Sequence, residues 1–195
     1  MLSTLIELQR LKGLERTGWL LRGLPAGMES VAAHSYGVAV TAMLLGDTAR
    51  ARGAAVEMET LLRMALLHDV AETRLGDLPR TASQYFGKDA RHAAEKAAFA
   101  DVVSGLESAL AEKYATFHAA YEQRDSLEAK LVKAADVVDL LVQALAFERR
   151  GARGLDEFWQ GAAEHDFRLE EPAGAVVKQL LTELWQARAA ILAKV

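Results

Sequence analysis

An apolar run at residues 64–67 ends directly in two polar residues, His68 and Asp69. An imidazole and a carboxylate are costly to bury, so a helix that heads into a core needs a reason to end on them. Exposure of the helix terminus to solvent is one explanation, and a metal site is the other. One pair does not decide between them, so a metal site requires matching ligands elsewhere in the chain.

A further histidine, His34, lies within a helical pattern and on its apolar side. Val31 precedes it by three residues and Val38 follows it by four, which places all three on one face of a helix. A lone histidine in such a position is more often a core residue that bonds to a carbonyl group. The histidines in charged or polar surroundings are expected at the surface: His92, His118 and His165.

A carboxylate occupies a comparable position at Asp136. Val132 and Leu140 flank it at four residues on either side, which places it in an apolar strip of a helix. A buried carboxylate must be paired, hydrogen-bonded or bound to a metal. Lys133 offers an ordinary ion pair, and Asp139 is a competing position for a ligand. The metal interpretation of Asp136 ranks first because the other candidates need the same explanation.

The candidates form a set of two imidazoles and two carboxylates: His34, His68, Asp69 and Asp136. Mixed nitrogen and oxygen ligands suit one divalent ion of manganese, cobalt, zinc, nickel, iron or magnesium. Such an ion lowers the pKa of a bound water and polarises a phosphoryl oxygen, which is the chemistry of a hydrolase. Helical proteins contain many scattered histidines and aspartates, so the spacing alone leaves this interpretation open.

The elements that must position these residues are helices. Prolines occur only at positions 25, 79 and 172, alanine and leucine are frequent, and no alternating strand pattern of useful length occurs. The sequence predicts an all-α, single-domain helical bundle over residues 1–195. The helices are expected at about 2–13, 31–51 after an N-cap at Ser30, 57–68, 88–113, 126–150, 154–164 and 173–193.

Composition excludes several classes of function. The net charge of −4 and the pI near 5.8 provide no basic field for nucleic acid or an anionic membrane surface. The absence of cysteine excludes disulfides and thiolate metal sites, and it fits a reducing compartment. No segment reaches the ~18 apolar residues of a membrane span, and residues 1–19 lack the pattern of a signal peptide. A cytoplasmic protein without a membrane or nucleic-acid partner is therefore expected.

Several short motifs together resemble a known family. They are RTGW at 16–19, ESVAAH at 29–34, HDVAETRLGDLP at 68–79 and KAAD at 133–136. Their order and content resemble the HD-domain metal-dependent phosphohydrolases, in particular the 5′-deoxynucleotidase branch. The resemblance implies a single HD domain with the metal-site core at about 28–150 and the C-terminal helices of 151–195 packed on it. It further implies a homodimer that hydrolyses deoxyribonucleoside 5′-monophosphates to a deoxynucleoside and phosphate.

The resemblance also assigns the residues of the reaction. His34, His68, Asp69 and Asp136 correspond to the metal ligands of the family, which makes Asp69 a catalytic residue as well. Glu72 corresponds to the acidic residue that orients or deprotonates the attacking water. It follows His68 by four residues, so a continued helical turn would place both over the same site.

Three further residues correspond to positions that bind the substrate. Asp77 matches a family residue at the sugar end of the nucleotide, with an ordinary turn aspartate before a proline as the alternative. Arg16 and Trp19 match the loop that holds the phosphate and checks the sugar. Arg22 is an alternative to Arg16, since Gly18 stands where bacterial relatives carry the arginine. A loop-anchoring role in the core is the alternative for Trp19.

Two departures from the family's pattern bear on activity. Ala33 stands where relatives usually carry an acid, and Gly37 stands where they often carry a larger polar or basic side chain. Loss of such outer partners weakens metal affinity by about 10–100-fold in characterised sites. A catalytically silent HD module that binds a nucleotide or a protein partner is therefore the alternative to an enzyme.

Overall fold

Twelve helices make up the described part of the chain, which is residues 1–193 of a computed structural model. For Arg80, Ser83 and Gln84 it describes the backbone only. Within this part β-type pairing is limited to an isolated bridge between Glu15 and Ser30, so the predicted all-α class is confirmed. The helices are α1 Leu2–Leu8, α2 Arg10–Gly13, α3 Thr17–Leu20, α4 Val31–Ala51, α5 Met58–Leu67, α6 Glu72–Leu75, α7 Arg80–Phe86, α8 Lys88–Val103, α9 Ser108–Gln123, α10 Leu127–Arg149, α11 Asp156–Ala163 and α12 Ala173–Leu192.

The two longest helices, α4 and α10, pack against each other at the centre of the fold. Each begins at a serine whose hydroxyl oxygen satisfies a free backbone amide of the first turn. The amide of Ala33 donates to Ser30 at 3.2 Å, as expected for the predicted N-cap, and the amide of Ala129 donates to Ser126 at 3.1 Å. α5 and α12 each contact both central helices.

The core consists of three apolar clusters around these helices. The first lies between α4, α5, α10 and α12 and contains the fully buried Val38, Leu61 and Leu131. The second joins the C-terminal half of α10 to α11 and α12 around Trp159, and the third lies along α8 around Phe99. Burial of each large apolar side chain contributes roughly 1.5–3 kcal/mol. The helices that carry the candidate ligands are therefore fixed on several sides.

The prediction of a single helix at 88–113 is wrong. The chain turns at residues 104–107, and α8 and α9 lie on either side of this turn. Gly105 lies against α1, because a Cβ atom at this position would be 3.2 Å from Oγ1 of Thr4. Its carbonyl oxygen accepts a hydrogen bond from the amino group of Met1. The turn therefore packs against α1. Helix propensity within the segment does not reveal this tertiary contact.

Other bounds differ less from the expectation. The helix expected at 2–13 is two helices that meet at Gln9, and the short helices α3, α6 and α7 were not among those predicted. α11 contacts α10, and α12 contacts α10 and α4. The expected division into a core at 28–150 and packed helices at 151–195 stays a prediction, and residues 194 and 195 lie outside the described part. None of the helices described combines the length and the apolar character that crossing a bilayer requires.

Candidate metal centre

Two buried imidazoles face each other between α4 and the end of α5. His34 and His68 are 1% and 5% exposed, and their ring centroids are 5.6 Å apart. Nδ1 of His68 lies 2.7 Å from the carbonyl oxygen of Ala65, so this nitrogen carries a proton and donates it to the backbone. Among the described residues neither Nε2 atom makes a hydrogen bond of normal geometry, although a carboxylate oxygen lies 3.1–3.2 Å from each. Buried polar atoms without partners require an explanation, and a bound cation provides one.

Two carboxylates complete the cluster. Oδ1 of Asp136 lies 3.2 Å from Nε2 of His34, and Oδ2 of Asp69 lies 3.7 Å from that atom and 3.1 Å from Nε2 of His68. Ligand atoms of the two histidines and Asp136 lie within 4.8 Å of one another. Ligands at about 2.1 Å from a shared ion are separated by about 3.0–3.4 Å in octahedral and tetrahedral geometry. The spacing of His34, His68 and Asp136 therefore fits a common cation, and Asp69 lies against the two imidazoles outside this group of three. A nitrogen and oxygen donor set suits a divalent ion.

Both carboxylates are ionised despite their location. Burial alone would raise the pKa of Asp69, but His68, His34 and Arg16 hold it well below its ordinary value. Burial opposes ionisation of Asp136 as well, and Lys133 and His34 hold its pKa low. Ionised carboxylates are the form that binds a metal. The electrostatics of the cluster therefore suit ligation.

Two neighbours of Asp136 were left open by the sequence, an ion pair with Lys133 and a competing ligand at Asp139. Nζ of Lys133 lies 2.6 Å from Oδ2 of Asp136, so one carboxylate oxygen makes the ordinary ion pair while the other faces His34. Asp139, the competing position, lies on the opposite side of the same imidazole, with Oδ2 at 2.8 Å from Nδ1. One turn of α10 therefore supplies a carboxylate to each nitrogen of His34.

Arg16 is the arginine that lies beside the cluster. Its Nη1 atom is 3.1 Å from Oδ1 of Asp77 and 3.7 Å from Oδ2 of Asp69. Burial would lower the pKa of Arg16, but the carboxylates of Asp77 and Asp69 raise it above its ordinary value. The alternative candidate, Arg22, forms an ion pair with Glu157 and lies over the ring of Phe158. Arg16, and not Arg22, is therefore the arginine that borders the candidate ligands.

Asp77 holds the segment that carries Arg16. Besides the guanidinium contact, its Oδ2 atom accepts a hydrogen bond from the backbone amide of Thr17 at 2.5 Å. Asp77 therefore connects the loop before α7 to the start of α3. This arrangement makes Asp77 more than a turn residue, and a contact to the sugar stays a prediction.

Trp19 packs in the core and offers a ligand little surface. The side chain is 2% exposed, with its ring 5.2 Å from Phe147 and 4.6 Å from Phe158. Its Nε1 atom donates to Glu29 at 2.5 Å. These contacts favour the anchoring role for Trp19 that the sequence left open. They do not leave the ring open to a sugar.

Glu72 lies at the start of α6, one turn after Asp69. It is largely buried, and its Oε2 atom has no hydrogen-bond partner within the described part of the chain. Burial, with Asp69 and Asp77, raises the pKa of Glu72 to about 10. Because a nearby cation reverses such shifts, ionisation of Glu72 depends on positive charge in the centre.

The expected surface location of His118 is wrong. Its side chain is 5% exposed and stacks on Phe99 with ring centroids 4.2 Å apart. Burial lowers the pKa of His118. His92 is exposed and lies 3.5 Å from Glu122, as its charged surroundings indicate, whereas His165 is half-buried against Phe167.

The chain belongs to the HD domain family, whose sequence profile matches residues 8–169. This match confirms the family that the motifs predicted. The 5′-deoxynucleotidase hdd1 of Schizosaccharomyces pombe is 32% identical over 161 residues, which are 79% of this chain and 77% of the relative. The 5′-deoxynucleotidase HDDC2 of Xenopus laevis is 30% identical over 187 residues, which are 95% of this chain and 86% of the relative.

Solved structures show the same fold. A protein of Pyrococcus horikoshii OT3 superposes with a TM-score of 0.82 at 32% identity, over 96% of this chain and 99% of that one. A "predicted metal-dependent phosphohydrolase" of Magnetospirillum magnetotacticum MS-1 superposes with a TM-score of 0.64 at 25% identity, over 95% of this chain and 91% of that one. Both matches extend beyond residues 8–169 into the C-terminal helices.

Proposed function

We propose that this protein is a metal-dependent phosphomonoesterase that hydrolyses deoxyribonucleoside 5′-monophosphates to a deoxynucleoside and phosphate. The observation that carries the proposal is the convergence of three candidate ligands, His34, His68 and Asp136. Asp69 lies against both imidazoles and Arg16 lies beside Asp69. The relatives that bear the name 5′-deoxynucleotidase support the substrate class. The proposed cofactor is one divalent ion of manganese, cobalt, zinc, nickel, iron or magnesium.

The side chains around the cluster divide the work of phosphate hydrolysis. A cation held by the four ligands would supply positive charge that acidifies a water and neutralises a phosphoryl oxygen. Arg16 donates to the remaining phosphate oxygens and stabilises the charge that develops on them. Glu72 orients the attacking water and accepts its proton. Asp77 and Trp19 place the Arg16 segment against the substrate, and Asp77 is proposed to reach the sugar.

A phosphate-release assay tests this function. The protein, supplied with manganese or cobalt, is incubated with deoxyribonucleoside monophosphates, ribonucleoside monophosphates and dinucleotides. We expect release from the deoxyribonucleoside monophosphates and its loss in an Asp69→Asn variant whose circular dichroism is unchanged. Asp101→Asn, an exposed change on α8, is the matched control and keeps full activity.

A second variant separates catalysis from metal binding. Glu72→Gln removes the proton acceptor but none of the proposed ligands, so we expect it to bind the metal like the wild type and to release no phosphate. Metal-loaded wild-type protein that releases phosphate from no nucleotide would contradict the enzyme proposal. That result would favour the silent module.

We also propose that the protein is a cytoplasmic homodimer. The absence of cysteine fits a reducing compartment. α12 carries Trp185, a large aromatic side chain that is 37% exposed and suits a contact with a second copy. Light scattering coupled to size-exclusion chromatography measures the mass, and a mass of one chain at micromolar concentration contradicts the dimer.

A further inference from the structure

A carboxylate of α10 occupies the space where a side chain of α4 would lie. Gly37 has no Cβ atom, and one placed there would be 2.7 Å from Cγ and 3.0 Å from Oδ2 of Asp139. Distances of this kind are shorter than van der Waals contact. Any residue other than glycine at position 37 must therefore displace the Asp139 carboxylate.

The carboxylate in this space determines the state of one imidazole. Oδ2 of Asp139 lies 2.8 Å from Nδ1 of His34, an imidazole that is 1% exposed. Because a carboxylate accepts hydrogen bonds, it holds a proton on Nδ1, which makes Nε2 the nitrogen of His34 that would bind a metal. His68 reaches the same state by donating from Nδ1 to a backbone carbonyl group. The two imidazoles are thus oriented alike, one by the backbone and one by a side chain.

A neighbouring acid is already committed to another partner. Glu29 has an oxygen within 4.8 Å of the facing atoms of His34 and Asp139, but its Oε2 atom accepts from Nε1 of Trp19 at 2.5 Å. Ala33, the residue before His34, is exposed on α4 and has no acceptor in its side chain. Asp139 is therefore the residue whose hydrogen bond is directed at His34.

We propose that Asp139 is a positioning residue of the metal centre that holds His34 with its proton on Nδ1, and that Gly37 is required to make room for it. This inference rests on the metal site of the proposed function but not on its substrate. The inference also changes the interpretation of Gly37. From the sequence alone, Gly37 was interpreted as the loss of a side chain that supports the metal ligands. The small residue on α4 allows a carboxylate from α10 to take that place.

A double-mutant cycle tests the coupling of the two positions. Metal-free wild type, Asp139→Ala, Gly37→Ala and the double variant are titrated calorimetrically with manganese and zinc, without nucleotide. Asp139→Ala and Gly37→Ala should each weaken binding by about 10–100-fold, the usual effect of losing an outer partner. The double variant should bind like Asp139→Ala alone, because the overlap at position 37 is then gone. Asp47→Ala, an exposed change on α4, is the matched control and binds like the wild type.

The same four proteins should also show that the effect of Gly37→Ala on the Tm changes sign with residue 139. Alanine favours the interior of a helix over glycine, so Gly37→Ala should raise the Tm when Asp139 is absent and lower it when Asp139 is present. A nitrogen-edited spectrum of the zinc-loaded wild type should show the Nδ1 proton of His34 at low field and in slow exchange with water, because Asp139 accepts its hydrogen bond. In Asp139→Ala this resonance should move to higher field and exchange faster, whereas it would not change if Asp139 were only a packing residue.

The outcomes separate this proposal from the proposed function. Unchanged metal affinity in Asp139→Ala, or losses that multiply in the double variant, would overturn the positioning role while leaving the hydrolase intact. Coupled losses in a protein that hydrolyses no nucleotide would leave the positioning role intact and overturn the substrate. A wild type that binds no divalent cation overturns both.

Discussion

Replacement of Asp77 by asparagine should impair catalysis through Arg16. Asp77 accepts one hydrogen bond from the Arg16 guanidinium at 3.1 Å and one from the Thr17 amide at 2.5 Å. Asparagine has a single acceptor oxygen and turns its amide group toward one of these donors. The lost bond involves a charged group, which is worth about 1.5–3 kcal/mol. If the whole loss falls on the transition state, kcat/KM decreases by about 10–150-fold.

A comparison with Arg16 decides whether this explanation is right. The assay measures phosphate release from a deoxyribonucleoside monophosphate for Asp77→Asn, Arg16→Met and the double variant, with the exposed Asp89→Asn as control. If Asp77 acts by holding Arg16, the double variant is as slow as Arg16→Met alone. Losses that multiply would refute an action of Asp77 through Arg16. A changed preference between deoxyribose and ribose in Asp77→Asn would separately report the proposed contact of Asp77 with the sugar.

Three further predictions concern stability. Arg188→Met removes the partner of Glu148, which is 2% exposed and bonded to the guanidinium at 2.9–3.2 Å. Chemical denaturation should show that the free energy of unfolding decreases by about 3–5 kcal/mol. The control Arg10→Met, which breaks an exposed ion pair, should change the free energy of unfolding by no more than about 1 kcal/mol. Burial lowers the pKa of His118 from 6.5 in the folded protein, so the unfolded chain binds the proton first as the pH falls. The free energy of unfolding should therefore decrease as the pH falls below about 6.5. His118→Phe should weaken this pH dependence, and an equal pH dependence in wild type and variant would contradict the role of His118. Addition of manganese at 100 times its Kd should stabilise the folded state by about 2.7 kcal/mol and raise the Tm. A chelator should reverse this rise, and a Tm that does not change with manganese would contradict the metal site.

The residues that the sequence located best are those that interrupt an apolar pattern. His34 and Asp136 each occupy a helical position whose neighbours at three or four residues are apolar. The structure places them on facing helices, with His34 buried and Asp136 half-buried. Such a position is visible in one sequence because a polar residue on a buried helix face needs a reason. His68 and Asp69 were visible for the same reason, at the end of an apolar run.

Features that depend on the distance between helices were not visible. Asp139 lies between Ala135 and Gln143 at helical spacing, and nothing in that pattern indicates that it meets His34. Gly37 was taken for a loss because its value lies in the close approach of α4 and α10. His118 has polar neighbours in the chain, but Phe99 from α8 covers it. In each case a residue distant in the chain decides the outcome, and periodicity within one helix carries no information about it.

The shared space at the α4–α10 contact makes positions 37 and 139 depend on each other as the sequence diverges. A side chain at position 37 is harmful while Asp139 is present, but it adds no further cost once residue 139 has been shortened. Descendants that keep the carboxylate are therefore held to glycine at position 37, whereas those that have lost it are free to vary there. This covariation is set by a volume of a few atoms.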